Sequence, residues 1–285
     1  MTSWGSVRAG LVAPFRRREP VVLWPGESLG VGNLLYLWLR AYTRQNQGEN
    51  VRALRTAKSS HWAKWFPDAV SAFTIDRADL SFFNPRIVGP LYQRFSEDFS
   101  AQELESFIDE FVLRQGSPFG DLVASTEPVG DLAINIRRGD YYSNARFRGR
   151  YSFDVVEYVR TALQQAEADA QVSRVLIVSD DLEWCRLKLA PVLTDVDVVY
   201  PDADADPARQ LALLAVAPRL ILTNSTFSYW AAYLSNRVHA VDGSKSNHDQ
   251  VYAPWFHSRE WNEGEADQLD PRWSIVRTIP GGWDG

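Results

Sequence analysis

The chain has 285 residues, 45% of them hydrophobic and 23% charged, with a formal net charge of −6 and a sequence pI near 5.3. Such proportions belong to a soluble globular protein and exclude a disordered one. The acidic balance argues against a nucleic-acid partner, which would call for a basic surface, and the length suits two domains of moderate size better than one large one.

A lone cysteine, Cys185, cannot form an internal disulfide, and the spacing patterns of zinc sites are absent, so a reducing compartment is expected. Residues 1–20 carry Arg8, Arg16, Arg17 and Arg18 but no continuous apolar core of signal-peptide length. The apolar run from Leu211 to Thr223 is interrupted by Pro218 and Arg219 and falls short of the roughly 18 residues of a membrane span. A cytoplasmic protein without a transmembrane segment is the expectation. Eleven tryptophans and eleven tyrosines suit sugar faces as well as protein interfaces, although core packing accounts for such rings too.

In chain order, Val21 to Trp24 reads as a strand and Leu34 to Arg44 as a helix. The aromatic run from His61 to Phe83 fits no element, and Trp62, Trp65, Phe66, Phe82 and Phe83 suit a small core better than a sugar-stacking surface. An amphipathic helix is expected over Ala101 to Gln115, ending at Gly116. Gly116 to Gly130 has the composition of a linker or long loop and places a domain boundary there, giving domains 1–125 and 126–285. Beyond it strands at Leu132–Ile136, Arg174–Ser179, Val196–Tyr200, Leu220–Leu222 and Val238–Val241 alternate with helices at Phe153–Ala168, Leu182–Leu189, Ala208–Val216 and Thr226–Leu234. That alternation predicts an α/β fold whose C-terminal domain is a doubly wound parallel sheet of the nucleotide-binding kind.

Ligands of such sheets bind outside the carboxyl ends of the strands. The segment INIRRGDYY puts Arg137 and Arg138 at that edge, where two guanidinium forks match the oxygens of a diphosphate. The alternative is a surface cluster paired with Asp140, Asp180 or Asp181. A second segment, Leu220 to Trp230, passes from a buried strand through a polar turn into a helix. Ser225, Thr226 and Ser228 at that helix start make an anion site, or Ser225 is simply the N-cap. Asn224-Ser-Thr matches a glycosylation acceptor, which a cytoplasmic protein would not use. Third, Asp180 and Asp181 end another strand, where a carboxylate can accept from guanine or cap the next helix.

The segments INIRRGDY, VSDDLEW and TNSTFSYWAAYL resemble, in order and spacing, the three motifs of the α-1,2-fucosyltransferases of glycosyltransferase family eleven, in a bacterial-type form. Gly30-Val-Gly-Asn-Leu-Leu-Tyr36 is similar to that family's N-terminal glycine turn. The match runs from about residue 22 to 241, with none of it between about 50 and 125. The resemblance implies a GT-B architecture of two Rossmann-like domains, an N-terminal acceptor side and a C-terminal GDP-sugar side. It further implies GDP-L-fucose as donor substrate, a glycan with a terminal β-galactoside as acceptor, inversion, and no cofactor or obligatory metal. Carried over by position, Arg137 and Arg138 hold the diphosphate, Asp180 or Asp181 recognises guanine, and Asn224, Ser225, Thr226 and Phe227 contact phosphate and fucose. Gly30, Gly32 and Asn33 join the donor site. Many members have His where this chain has Asn135, which can hydrogen-bond a ribose or a backbone group but cannot exchange a proton near neutral pH.

Asp140 is the first candidate for a general base and Glu27 the second, with a structural ion pair as the alternative for Asp140. Asp202-Ala-Asp204 reads as a solvated loop rather than a metal site, and His61, His239, His248 and His257 lack ligand spacing. Two rival readings stay open: a glycosyltransferase using another GDP-sugar or acceptor, and a non-catalytic sugar-nucleotide-binding protein.

Overall fold

A computed structural model describes residues 19–27, 29–88, 93–202, 205–240 and 246–284. Arg8, Arg16, Arg17, Arg18, Asp204 and Val241, named above, lie outside the described residues. The chain divides between Pro118 and Phe119 into two compact units, each α/β with its own parallel sheet, which is the class expected from the sequence. No described helix is long and apolar enough to cross a membrane.

The N-terminal unit is built on strands β1 (Val21–Leu23), β2 (Val51–Leu54), β3 (Thr74–Ile75) and β4 (Arg86–Ile87) in the order β3-β2-β1-β4, all parallel. Helix α1 (Val31–Asn46) is buried nearly all round, without a break from Leu34 to Leu39 and again from Ala41 to Thr43, as a helix inside a core is. Helices α2 (Ala57–Trp62) and α3 (Pro67–Phe73) occupy the aromatic run that had no assignment. α2 starts at a capping box between Thr56 and Ser59, a signal carried by two small polar residues just ahead of the aromatic stretch. Trp62 and Phe66 are core, their rings stacked 5.8 Å apart, whereas Phe82 is exposed. α4 (Ala101–Phe107) passes into a π-helical turn over Ile108–Val112, so the expected single helix widens where Phe107 and Phe111 both pack on Phe73 and Tyr42.

The expected linker is partly a helix, α5 (Pro118–Ala124). Pro118 is its first residue, a position where the missing N–H costs nothing, so the proline that suggested a loop starts a helix instead.

The C-terminal unit carries a six-stranded sheet in the order β12-β9-β8-β5-β6-β7, all parallel. Its strands are β5 (Leu132–Ile136), β6 (Arg174–Ser179), β7 (Asp197–Val199), β8 (Leu220–Leu222), β9 (Val251–Pro254) and β12 (Ser274–Val276), and the hairpin β10 (Phe256–Ser258) with β11 (Gly264–Glu265) is separate. β5 and β8 are buried throughout, as a sheet covered on both faces requires. The intervening helices are α6 (Gly139–Ser143), α7 (Ala145–Tyr151), α8 (Val155–Asp169), α9 (Leu182–Lys188), α10 (Pro207–Ala215) and α11 (Thr226–Ala240). The last of these corrects the expected strand at 238–241: Val238 to Ala240 form the final turn of α11, and the strands beyond β8 are supplied by 251–254 and 274–276.

Strand order reverses at β5. Chain order runs outward from β5 through β6 to β7, then returns on the other side of β5 as β8 and continues to β9 and β12. A crevice at the carboxyl ends of β5 and β8 is therefore where this topology places a ligand.

Candidate functional site at the reversal of strand order

β5 ends at Ile136, and Arg137 and Arg138 follow directly. The Arg137 N–H donates to Thr223 Oγ1 at 2.9 Å, tying the loop after β5 to the loop after β8. Thr223 donates its own N–H and hydroxyl to the Asn135 carbonyl, both at 3.1 Å. This reciprocal contact sets the two carboxyl ends side by side, so the arginines stand next to the N-terminus of α11.

The Arg137 guanidinium donates to Asp180 at 2.7 Å and to Asp140. Arg138 donates its backbone N–H to Asp180 at 2.8 Å and its Nε to Asp181 at 3.2 Å. Its guanidinium carbon lies 4.0 Å from the Tyr142 ring centroid and 3.9 Å from that of Trp184, contacts in which a cation meets the negative face of a ring. With only 14% of its side chain exposed, Arg138 is the better held of the two, since 37% of Arg137 is exposed. Arg137, Arg138, Asp140, Asp180 and Asp181 thus form one ion-paired cluster. Asp181 also caps α9, accepting from the Trp184 N–H at 3.2 Å, which is the helix-cap role the sequence allowed for one of the two carboxylates.

Gly139 explains why the turn after the arginines is Gly-Asp. A Cβ at Gly139 would lie 2.4 Å from Asp180 Oδ2, closer than any side chain allows. Glycine therefore lets α6 start against the carboxylate that holds both arginines.

Three expected donor residues are committed inside the unit. Asn135 is 5% exposed; its Nδ2 donates to the Val178 carbonyl at 3.0 Å and its Oδ1 accepts from the Ser228 hydroxyl at 2.6 Å. Asn224 is buried, donating to the carbonyls of Tyr151 and His257 at 2.8 Å each. That burial also closes it to glycosylation. Ser225 is buried and its hydroxyl accepts from the Phe227 N–H at 3.3 Å, a helix-start contact. Thr226 and Phe227, by contrast, are half-buried at the mouth of α11.

An aromatic group floors the neighbourhood. Tyr141 and Tyr151 stack at 4.3 Å, and burial pushes the Tyr141 hydroxyl well above its ordinary range. His257 lies between the Tyr151 and Trp261 rings and shares a 3.0 Å hydrogen bond with the Tyr229 hydroxyl. Burial holds its imidazole down to about 4, so it is neutral near pH 7. The lone Cys185 is buried and its thiol is pushed up to about 11 by that burial, which makes it unreactive.

In the N-terminal unit, Gly30 caps α1 with φ −71° and a Cβ there would meet nothing within 4 Å, so neither backbone nor packing demands glycine. Gly32 is buried in the first turn, and Asn33 accepts from Gln93 Nε2 at 2.8 Å. Glu27, the second candidate base, pairs with Arg77 at 3.1 Å. Among the described residues no three of His, Cys, Asp or Glu gather as a metal site would.

The sequence profile of glycosyl transferase family 11 matches residues 101–261, more than half of the chain and all of the cluster just described. The chain belongs to this family. Its family 11 relatives include galactoside α-(1,2)-fucosyltransferase 1 of Sus scrofa, 29% identical over 138 residues (48% of this chain, 36% of the relative). The Lagothrix lagotricha protein of the same name is 31% identical over 150 residues (51% and 41%), and that of Homo sapiens 26% over 151 (51% and 41%). The chain thus aligns with less than half the length of these curated relatives. Among solved structures, POFUT1 in complex with GDP is matched at 9% identity and a TM-score of 0.41 (76% of this chain, 94% of that one). E. coli heptosyltransferase WaaC with ADP is matched at 10% and 0.44 (92% and 94%).

Four residues that build the arginine cluster were not singled out from the sequence: Thr223, Gly139, Tyr142 and Trp184. Tyr142 follows Arg138 by four residues and Trp184 follows Asp181 by three, so both aromatics stood inside the quoted motifs. What was lacking was a reason to place a ring beside an arginine rather than in the core.

Proposed function

We propose that the chain is an inverting α-1,2-fucosyltransferase that moves L-fucose from GDP-β-L-fucose to the 2-hydroxyl of a terminal β-galactoside. The observation that carries this reading is the juxtaposition of Arg137 and Arg138 with the start of α11 where the strand order reverses. Displacement at the anomeric carbon needs stabilisation of a departing diphosphate. Two guanidiniums and a helix N-terminus supply positive charge for it without calling on a metal, Arg138 from a fixed position and Arg137 once it leaves its carboxylates. The names of the family 11 relatives support fucose as the sugar and galactose as the acceptor.

In this reading Arg138, clamped by two rings and Asp181, is the fixed fork, and the more exposed Arg137 turns from its carboxylates toward the phosphates. Each oxygen of Asp180 and Asp181 keeps a second lone pair, so guanine recognition by either is compatible with the bonds they already make. Thr226 and Phe227, at the mouth of α11, face fucose and phosphate, while Asn135, Asn224 and Ser225 hold the walls from behind. Asp140 is the base candidate. Incubation with GDP-fucose and lactose in EDTA, with the product linkage read by NMR, tests the whole proposal. An α-1,2-linked fucosyl lactose is expected; GDP release without transfer, or transfer only from another GDP-sugar, would reject it.

A further inference from the structure

At the far side of the same sheet edge lies a cavity of about 260 Å³ that the reaction described above does not use. It is lined by Trp255, Arg277, Thr278, Ile279, Gly282 and Trp283. Trp255 directly follows β9 and Arg277 directly follows β12, so the cavity opens at the carboxyl ends of parallel strands, as the arginine cluster does. β9 lies two strand spacings from β5 and β12 lies three, which puts the cavity roughly 10 to 14 Å along the sheet from Arg137.

The two indole rings are 6.5 Å apart between centroids with planes inclined at 49°. Trp283 is held in place from within the unit. Its ring stacks on Phe256 at 6.0 Å, meets Phe153 edge-on at 5.5 Å, and its Nε1 donates to the Arg277 carbonyl at 3.0 Å. Both tryptophans are half-buried, so part of each ring faces the cavity, and the rim carries the exposed side chains of Arg277 and Thr278. Arg277 makes no ion pair among the described residues, unlike the arginines of the catalytic cluster.

This combination has a specific chemistry. A pyranose has an apolar face of C–H groups and an equatorial rim of hydroxyls; the face suits a flat, rigid indole and the rim suits a guanidinium fork and a hydroxyl. A volume of about 260 Å³ is room for a single sugar ring. Its lining holds the single cation Arg277, against the two guanidiniums and helix start of the arginine cluster, which favours a neutral sugar ring over a second diphosphate donor.

We propose that this cavity binds one pyranose ring of the acceptor glycan, one to three residues removed from the galactose that receives the sugar. The inference rests on the acceptor reading above, and it makes the C-terminal unit, not only the N-terminal one, a determinant of acceptor length.

The test compares lactose with a linear β-linked tetrasaccharide that ends in the same galactose. NMR-detected titration of the full chain measures binding without turnover, and the transfer assay gives KM for each sugar. Trp283→Ala removes a ring packed on Phe153 and Phe256 and can unfold the unit, so Arg277→Ala and Thr278→Phe carry the test, both side chains being exposed. The unaltered chain is expected to bind the tetrasaccharide more tightly than lactose. Each variant should reduce that preference by about tenfold, the loss of one charge-assisted hydrogen bond or the filling of the cavity. No preference for the tetrasaccharide, or a preference that both variants keep, overturns the inference. Should the tetrasaccharide bind in this variant-sensitive way while no fucose is transferred to either sugar, the cavity assignment stands and the proposed reaction fails.

Discussion

Asn135→Ala separates two roles for one residue. The side chain is 5% exposed and makes two hydrogen bonds, to the Val178 carbonyl on β6 and from Ser228 on α11, so it joins three elements beneath the arginine loop. Truncation strands both partners, at about 1–3 kcal/mol each when buried. Taking about 1.5 kcal/mol for each stranded partner puts the total at about 3 kcal/mol. For a unit of this size a loss of 1 kcal/mol lowers Tm by about 2–4 °C, so a drop of roughly 6–12 °C is expected. Thermal unfolding by circular dichroism measures it, followed by donor titration of the folded variant. A Tm within about 2 °C of the parent, combined with lost donor affinity, would refute the reasoning and show that the amide reaches the donor.

Other expectations follow from the same geometry. His257 stays neutral in the folded chain down to about pH 4 while an unfolded imidazole protonates near 6.5, so its contribution is complete above pH 6.5 and falls away between 6.5 and about 4. His257→Gln should flatten the urea-derived stability profile in that window by up to about 1.4 kcal/mol per pH unit, and an unchanged slope would contradict the burial argument. Gly139→Ala pushes a methyl group into Asp180 and should weaken donor binding by about tenfold with little change in Tm, because the displaced pairs are partly exposed. A variant with normal donor affinity would mean that Asp180 does not organise the arginines. Asp140→Asn should lower kcat by about 100-fold with donor Kd nearly constant if the carboxylate takes the acceptor proton; equal losses in both would make it a partner of Arg137 only.

The C-terminal sheet was largely legible because buried parallel strands read as short apolar runs between helical patterns. The exception, Val238 to Ala240, shows the limit of that signal: an apolar triplet at the end of a helix has the same letters as a short strand. The strands beyond β8 were hidden, β9 by Pro254 at its end and β12 by having only two apolar residues, Ile275 and Val276. At the site, charge was legible and burial was not. Arg137, Arg138 and the three aspartates do gather, but nothing in the letters told buried Asn135 and Asn224, whose amides face inward, from half-buried Thr226 and Phe227. Gly139 was equally silent, since its meaning lies in the carboxylate of Asp180, distant in sequence.

The arginine pair beside α11 is proposed to hold the diphosphate of a GDP-fucose donor. Calorimetric titration in EDTA with GDP-fucose, GDP-mannose and UDP-galactose, on the parent chain and on Arg138→Ala, tests it most directly. The account predicts binding of GDP-fucose above the other two and a loss of about 1.5–3 kcal/mol, or more, in the variant, the worth of a hydrogen bond to a charged group. Binding of GDP-fucose that survives in Arg138→Ala with its affinity intact would contradict it.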